Sequence, residues 1–315
     1  MIVTVTANPS VDRTIELDGR LERGEVLRAA KVRNQPGGKG INVARAVTGA
    51  GLESVALLPA RDTDPLLSLL DDTVQPYRTV TVDGEVRTNL TIAEPDGTTT
   101  KLNEPGTGLT EGQLAQFTDL IAESAAGADW VALCGSLPPG VPAQWYGSVI
   151  ERLHHTGRRV AVDTSGAPLL AVAGFRPDLL KPNAFELAEL TGGDGRLLEE
   201  AAENGDLEPA AEAARELAAR TGGTVLTTLG AAGALLTDGP NTWFAQTPPV
   251  RVRSTVGAGD SALAGYLIAL HRGAAGGQAL AHAVAYGSAA AALPGTTPPL
   301  PEHLDLAGAV HRQLT

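Results

Sequence analysis

With 315 residues, 43% of them hydrophobic and 19% charged, the chain has the makeup of a globular protein and ample core for one large or two modest domains. A formal net charge of −12 argues against nucleic acid or an anionic membrane as partner. No apolar run reaches the roughly 18–20 residues of a membrane span. The start lacks a basic leader-like region, and the lone Cys134 excludes an internal disulfide framework, so a cytoplasmic setting is expected.

Residues 2–7 are β-branched and alternate, which predicts a central strand, broken by Asn8-Pro9-Ser10. Alternating stretches at 11–18 and 26–33 have mixed faces and suit a small lid better than a buried sheet. Gln35-Pro36-Gly37-Gly38-Lys39-Gly40-Ile41-Asn42 then sets a glycine turn before a helix. Its spacing is not that of a P-loop, and alone it would equally suit a flexible turn with a solvated lysine. A strand is predicted over 53–58 and a short helix over 64–71. Segments 85–94 and 98–102 flank Pro95-Asp96-Gly97, a hairpin signal. An amphipathic helix over 110–126 can be capped by Thr110. Strands at 129–134, 158–162, 179–181 and 224–229 alternate with helices starting near Pro142, Ala167, Asn183 and Pro209. That rhythm means βαβ units and a mainly parallel α/β sheet. Residues 242–245 read as a short strand, 279–293 as an Ala-rich helix, and 192–205 and 294–301 as loops. No linker or repeat divides the chain, so one domain over 1–315 is expected.

The candidate chemistry centres on Ser254-Thr255-Val256-Gly257-Ala258-Gly259-Asp260-Ser261, which ends an alternating run and opens an apolar one. Amides at such a helix start lack intrahelical partners and sit at the positive end of the dipole, so glycines there invite an anion. A carboxylate in the same nest repels phosphate unless it has another task, such as taking a proton from an attacking hydroxyl. A plain turn with Asp260 as N-cap is the competing interpretation. Further polar clusters follow the predicted strands, where ligands sit on such sheets: Asn8 and Asp12, Gly135-Ser136, Asp163-Thr164-Ser165, Lys181-Pro182-Asn183 and Thr228-Leu229-Gly230. Of only four lysines, two, Lys39 and Lys181, fall inside these motifs.

Six motifs in order resemble the ribokinase-like (PfkB) sugar kinases, in the branch of 1-phosphofructokinase and tagatose-6-phosphate kinase. They are Asn8-Pro9-Ser10-Val11-Asp12, the 36–45 run from Pro36 through Lys39 to Arg45, Gly135-Ser136-Leu137-Pro138, Lys181-Pro182-Asn183-x-x-Glu186, Leu229-Gly230-x-x-Gly233 and Gly257-Ala258-Gly259-Asp260. The resemblance implies a three-layer α/β/α body with a mainly parallel central sheet and a small β-sheet lid. The lid would use strands near 11–18, 26–33, 86–93 and 98–103 and would pair two subunits into a homodimer. It implies Asp260 as catalytic base, with Gly257, Ala258 and Gly259 supplying amides to the transferring phosphoryl group. Asp12, Gly37, Gly38, Lys39, Asn42, Arg87 and Ser136 would bind the sugar phosphate, with Lys39 and Arg87 reading the phosphate already present. Lys181, Asn183, Thr228, Leu229, Gly230, Gly233 and Gly259 would border ATP. Asn183 and Glu186 would serve Mg2+, through water.

The activity implied is ATP-dependent phosphorylation of a ketohexose phosphate, fructose 1-phosphate before tagatose 6-phosphate or fructose 6-phosphate. A catalytically silent sugar-phosphate sensor on the same fold is the alternative from another class, and an intact Asp260 speaks against it. One departure stands out. Where relatives carry a Gly-x-Asp-x-x-Gly turn near the sugar, this chain has Ala60-Arg61-Asp62-Thr63-Asp64-Pro65.

Overall fold

In the computed structural model, which describes residues 1–314, the chain begins with β1 (Ile2–Thr6), buried along its whole length. Three residues later it enters β2 (Ser10–Leu17), which pairs antiparallel with β3 (Ala29–Gly37). Helix α1 (Lys39–Gly49) follows at once, its start pressed onto β1: a Cβ on Gly40 would fall 2.5 Å from Thr6 Oγ1. Next come β4 (Ser54–Pro59), α2 (Pro65–Asp72), β5 (Tyr77–Val80), β6 (Arg87–Ala93) and β7 (Thr99–Asn103). Asp64 caps α2 by accepting from Leu66 N at 3.0 Å, and its other oxygen accepts from Val86 N at 2.9 Å. The segment without the family's glycines is therefore stapled to the approach of β6.

The second half alternates strand and helix. Thr110 opens α3 (Glu111–Ser124) with a reciprocal capping box to Gln113, as its sequence predicts. Then follow β8 (Trp130–Cys134), α4 (Trp145–His154), β9 (Arg159–Asp163), α5 (Ala167–Val172), β10 (Leu179–Leu180) and α6 (Ala184–Thr191). Helices α7 (Gly195–Glu203) and α8 (Glu208–Thr221) lead to β11 (Thr224–Thr228), β12 (Ala234–Asp238) and β13 (Asn241–Gln246). Helices α9 (Ala258–His271) and α10 (Gly276–Ala291) and the edge strand β14 (Val310–Gln313) complete the described chain.

The central sheet has ten strands in the order β14-β13-β12-β11-β10-β9-β8-β1-β4-β5. It is parallel from β5 to β11 and antiparallel beyond. One face packs on α3, α4, α5, α6 and α8, the other on α1, α9 and α10. Each fully buried core side chain, such as Ile2, Leu57 or Leu133, contributes about 1.5–3 kcal/mol relative to exposure. Chain order reverses at β1, which lies between β8 and β4, so a ligand crevice is expected outside its carboxyl end. The separate four-stranded sheet, β3-β2-β6-β7, is the lid, and its strands match the expected stretches except that β3 runs from Ala29 to Gly37.

Three expectations need correction. The 192–205 segment is not a loop but holds α7, whose N-cap Asp194 accepts from Arg196 N at 2.9 Å. Flanking glycines mask it: Gly192 is the left-handed C-cap of α6, and Gly205 follows α7 with φ +85°. The helix expected near Pro142 begins at Trp145, and α9 begins at Ala258, so that Asp260, which the competing turn interpretation makes an N-cap, lies inside the helix. Strands β5, β12 and β14 complete the sheet without having been anticipated.

Candidate active site

Helix α9 starts on Gly257, held at φ +80°, where only glycine sits without strain, and no side chain caps it. Asp260 is therefore not the cap. It stands in the first turn, 6% exposed, and its carboxylate accepts a bond from Asn42 Nδ2 at 2.9 Å. Burial pushes Asp260 up to about 6; Lys39 opposes the shift and the nearby Asp163 adds to it. The dipole of a helix start favours a carboxylate there, yet here desolvation wins. The result is a base poised near neutral pH, which is what general-base work asks for.

Lys39 opens α1 and turns toward the body of the protein. Its Nζ lies 2.6 Å from Asp163 Oδ1, at the carboxyl end of β9. Lys181, just past β10, holds the other oxygen of Asp163 at 3.1 Å. Burial lowers the Lys39 pKa, but Asp163 and then Asp260 more than offset that and keep it above the ordinary lysine value. Burial likewise raises Asp163, while Lys181 and Lys39 together hold it below the usual carboxylate range. Lys181 also sits against the start of α9, for a Cβ on Gly259 would fall 3.4 Å from its Nζ. Two ammoniums, one fully buried carboxylate and the Asp260 base thus meet where β9, β10, α1 and α9 converge. The end of β8 is fixed beside them: the Tyr146 hydroxyl lies 3.0 Å from the Cys134 carbonyl, and Thr164 donates to the Gly135 carbonyl at 2.8 Å. Cys134 is fully buried and its thiol is pushed well up by desolvation, so it plays no nucleophilic part.

The sugar-side residues gather where lid meets body. Asp12 Oδ1 accepts from Ser10 Oγ at 2.8 Å and Asn89 Nδ2 at 3.2 Å, brought together by the parallel β2–β6 register. Burial raises the Asp12 pKa against those bonds and the charges of Arg87 and Arg45. Gly37 lies under its carboxylate; a Cβ there would come within 2.3 Å of Asp12 Oδ1. Arg87 donates to the carbonyls of Glu104 at 2.9 Å and Asn8 at 3.2 Å, and so does not pair with Glu85 or Glu94. Asn8 in turn donates to Ser136 Oγ at 3.3 Å and to the Pro105 carbonyl at 3.0 Å. Gly38 (φ +115°) caps α1 and leaves its first amides open.

On the remaining side, Thr228 bridges Asn183, and Leu229 N donates to the Gly233 carbonyl at 2.9 Å. Leu229 is fully buried, so only its backbone can face a ligand. Gly230 and Gly233 both have positive φ, and a Cβ on Gly233 would lie 2.2 Å from the Ala245 carbonyl. Asn183 and Glu186 cap α6 reciprocally, at 2.8 and 2.9 Å.

The residues that the resemblance assigns fall in three regions: around Asp260, where lid meets body, and at the start of α6 beside the 228–233 turn. Asp163 is legible only as a polar residue after a strand, and Asn89 belongs to none of the motifs. Arg45, half-buried with Nη1 3.4 Å from the Thr296 carbonyl, appeared only as the end of a motif. What ties these residues in is distance across the fold, which spacing along the chain does not reveal.

Residues 5–303 match the pfkB family of carbohydrate kinases. The chain is 38% identical to 1-phosphofructokinase of Rhodobacter capsulatus, over 84% of this chain and 82% of that one. It is 36% identical to 1-phosphofructokinase of Haloferax volcanii, over 95% and 93%. The crystal structure of phosphofructokinase-2 from Escherichia coli with substrates and products superposes with a TM-score of 0.87, at 32% identity and 96% coverage of both chains. The chain belongs to the pfkB family of carbohydrate kinases.

Proposed function

We propose that this kinase transfers the γ-phosphoryl group of ATP to fructose 1-phosphate, giving fructose 1,6-bisphosphate. The observation that carries the reading is Asp260, a buried carboxylate poised near neutral pH at an open helix start, with two ammoniums tied beside it by Asp163. The sugar hydroxyl oxygen bonds to the γ-phosphorus as the bond from that phosphorus to the ADP oxygen breaks, and the hydroxyl proton passes to Asp260. Amides of 257–259, Lys39 and Lys181 meet the charge on the transferring group. Arg87 and the neighbouring Arg45 are given the phosphate that the sugar already carries, since a guanidinium fork suits a phosphate. Lys39, bonded to Asp163 rather than facing the lid, is assigned chiefly to the transferred phosphoryl group.

Mg2+ fits the donors at the start of α6. Glu186 is half-buried, engages one oxygen in the capping box, and offers a hard carboxylate beside Asn183. Among the described residues no group of three or more His, Cys, Asp and Glu could cage a metal. That suits an ion held through water and substrate phosphates. When bound, the ion supplies charge neutralisation on the phosphate oxygens. Glu186 and Asn183 would orient its waters.

A homodimer through the lid is part of the proposal, supported by the exposure of Val32 (51%) and Leu102 (56%) on that sheet. Light scattering that gives one chain mass would remove it. A cytoplasmic setting fits the buried free Cys134, and no described helix is long and apolar enough to cross a membrane. The E. coli and Mycobacterium tuberculosis relatives named 6-phosphofructokinase, each 34% identical, make fructose 6-phosphate the specific rival. Tagatose 6-phosphate remains in the panel beside it. ADP release with fructose 1-phosphate at the highest kcat/KM is expected. A higher value for another hexose phosphate reassigns the substrate, and no turnover with any leaves only the sensor.

A further inference from the structure

At the opposite end of the sheet from Asp260 lies a cleft of about 1010 Å³, built on the amino ends of β9, β10 and β11 and the flank of α8. Arg158, Arg159, Arg176 and Arg215 line it with only Asp178 and Asp238 as acidic residues. This concentration of positive charge is set within a chain of net charge −12. Asp178 is already engaged, accepting from Val160 N at 2.8 Å and lying 3.0 Å from His154 Nε2.

Two of the arginines keep unmet donors, although Arg158 Nη1 also donates to the Ala128 carbonyl at 3.5 Å and Arg159 lies over the Trp130 ring at 4.6 Å. Nε of Arg158 and Nη1 of Arg215 are shut from water without an acceptor among the described residues, although Arg215 also pairs with Glu208. Such donors cost about 1–3 kcal/mol each when left unmade, and a bound oxyanion would satisfy them once the side chains turn outward. Arg176 is held in the left-handed region at φ 54°, one of two non-glycine residues there among those described. Its guanidinium lies over Gly222, whose added Cβ would fall 2.9 Å from Nη2. Non-glycine residues adopt this backbone at a cost, and strain of this kind clusters at ligand clamps.

We propose that this cleft is a second anion site, taking a compact polyphosphate-bearing small molecule. Neighbouring strands stand about 4.8 Å apart, so the floor from β9 to β11 spans roughly 10 Å. That is wide for one orthophosphate and suits two or three linked phosphoryl groups, with arginine forks along the span.

Inorganic tripolyphosphate is the probe, titrated calorimetrically into the whole protein at low salt. Wild type is expected to bind at this cleft in addition to whatever the Asp260 site accepts. Arg176→Gly preserves the left-handed backbone, so it tests the guanidinium without risking the fold; Arg158→Gln is the second variant. Each is expected to weaken the cleft component at least tenfold, and raised salt to weaken it in wild type. Arginine side-chain NMR places the wild-type signal: shifts at Arg158 and Arg176 that persist with saturating MgATP support the site. Shifts only around Lys39 and Lys181, or unchanged affinity in both variants, overturn it.

Discussion

Two helix starts build the catalytic centre, alike in opening on a glycine of positive φ and opposite in charge. Both α1 and α9 begin on a glycine of positive φ, Gly38 at φ +115° and Gly257 at φ +80°, without a side-chain cap. The first turn of α1 carries Lys39, which the helix dipole disfavours; the first turn of α9 carries Asp260, which it favours. Yet both groups hold their protons more tightly than in water: Lys39 because Asp163, Asp260 and Glu186 together outweigh its burial, Asp260 because burial, helped by Asp163, outweighs the lysines and the Asn42 bond. The contrast teaches that burial and partners across the fold, not local helix electrostatics, set the proton affinities here. Asp163 provides the partner for one, and Asn42 joins the two turns directly.

The largest test of that contrast removes the acidic half. Asp260→Asn keeps the shape and should lower kcat roughly 10²–10⁴-fold while ATP binding holds; near-normal turnover would place the base elsewhere. Next, Asp163→Asn leaves two ammoniums facing each other. Removing one partner of a buried pair costs about 3–5 kcal/mol, readable by urea unfolding at pH 7. Because the folded pKa of Asp163 is depressed, its stabilisation exists above the ordinary value of 3.8 and fades as pH falls through the lower folded one. The gap between variant and wild type should therefore narrow in acid; a constant gap would refute the ionic account.

Arg87→Ala tests the sugar end, outside both turns. Loss of a charged hydrogen bond of about 1.5–3 kcal/mol should raise the fructose 1-phosphate KM by about one to two powers of ten, with the ATP KM nearly still. A KM rise shared equally by both substrates would mean that Arg87 only supports the lid. The pH profile is subtler. With Asp260 at about 6, kcat/KM should fall toward acid below that pH, tenfold per unit once well under it. Smallest of all, Asn42→Ala deletes the one bond that favours the ionised form from α1. The acid limb should move up by less than about one pH unit, given a net bond strength near 1 kcal/mol. A limb that stays in place would show that the two turns are not coupled through Asn42.

Much of this was legible in the chain itself. Glycines at 37, 38, 257 and 259 mark turns into apolar helices, and Thr110 and Asn183 announce their caps three residues ahead of Gln113 and Glu186. The strand–helix rhythm after 129 gave the parallel sheet. What escaped depends on contacts distant in sequence. Asp163 and Lys39 are separated by 124 positions and meet only because β9 ends beside the start of α1. The short edge strand β14 adds to β13 by backbone pairing, and all four of its residues are exposed, so no buried face patterns its sequence.

The joints of the lid carry a mechanical consequence. Strand β1 ends at Thr6 and β2 begins at Ser10; β3 ends at Gly37 and α1 begins at Lys39. Lever arm and pivot are thus nearly one piece, with three residues in one joint and a single residue in the other. A tilt of the lid that carries Asp12 toward the crevice also pulls on the turn that aims Lys39. Opening and closing would then do more than admit sugar: each stroke would re-aim the ammonium, so that a lid jammed open would leave the phosphoryl end of the site out of alignment as well.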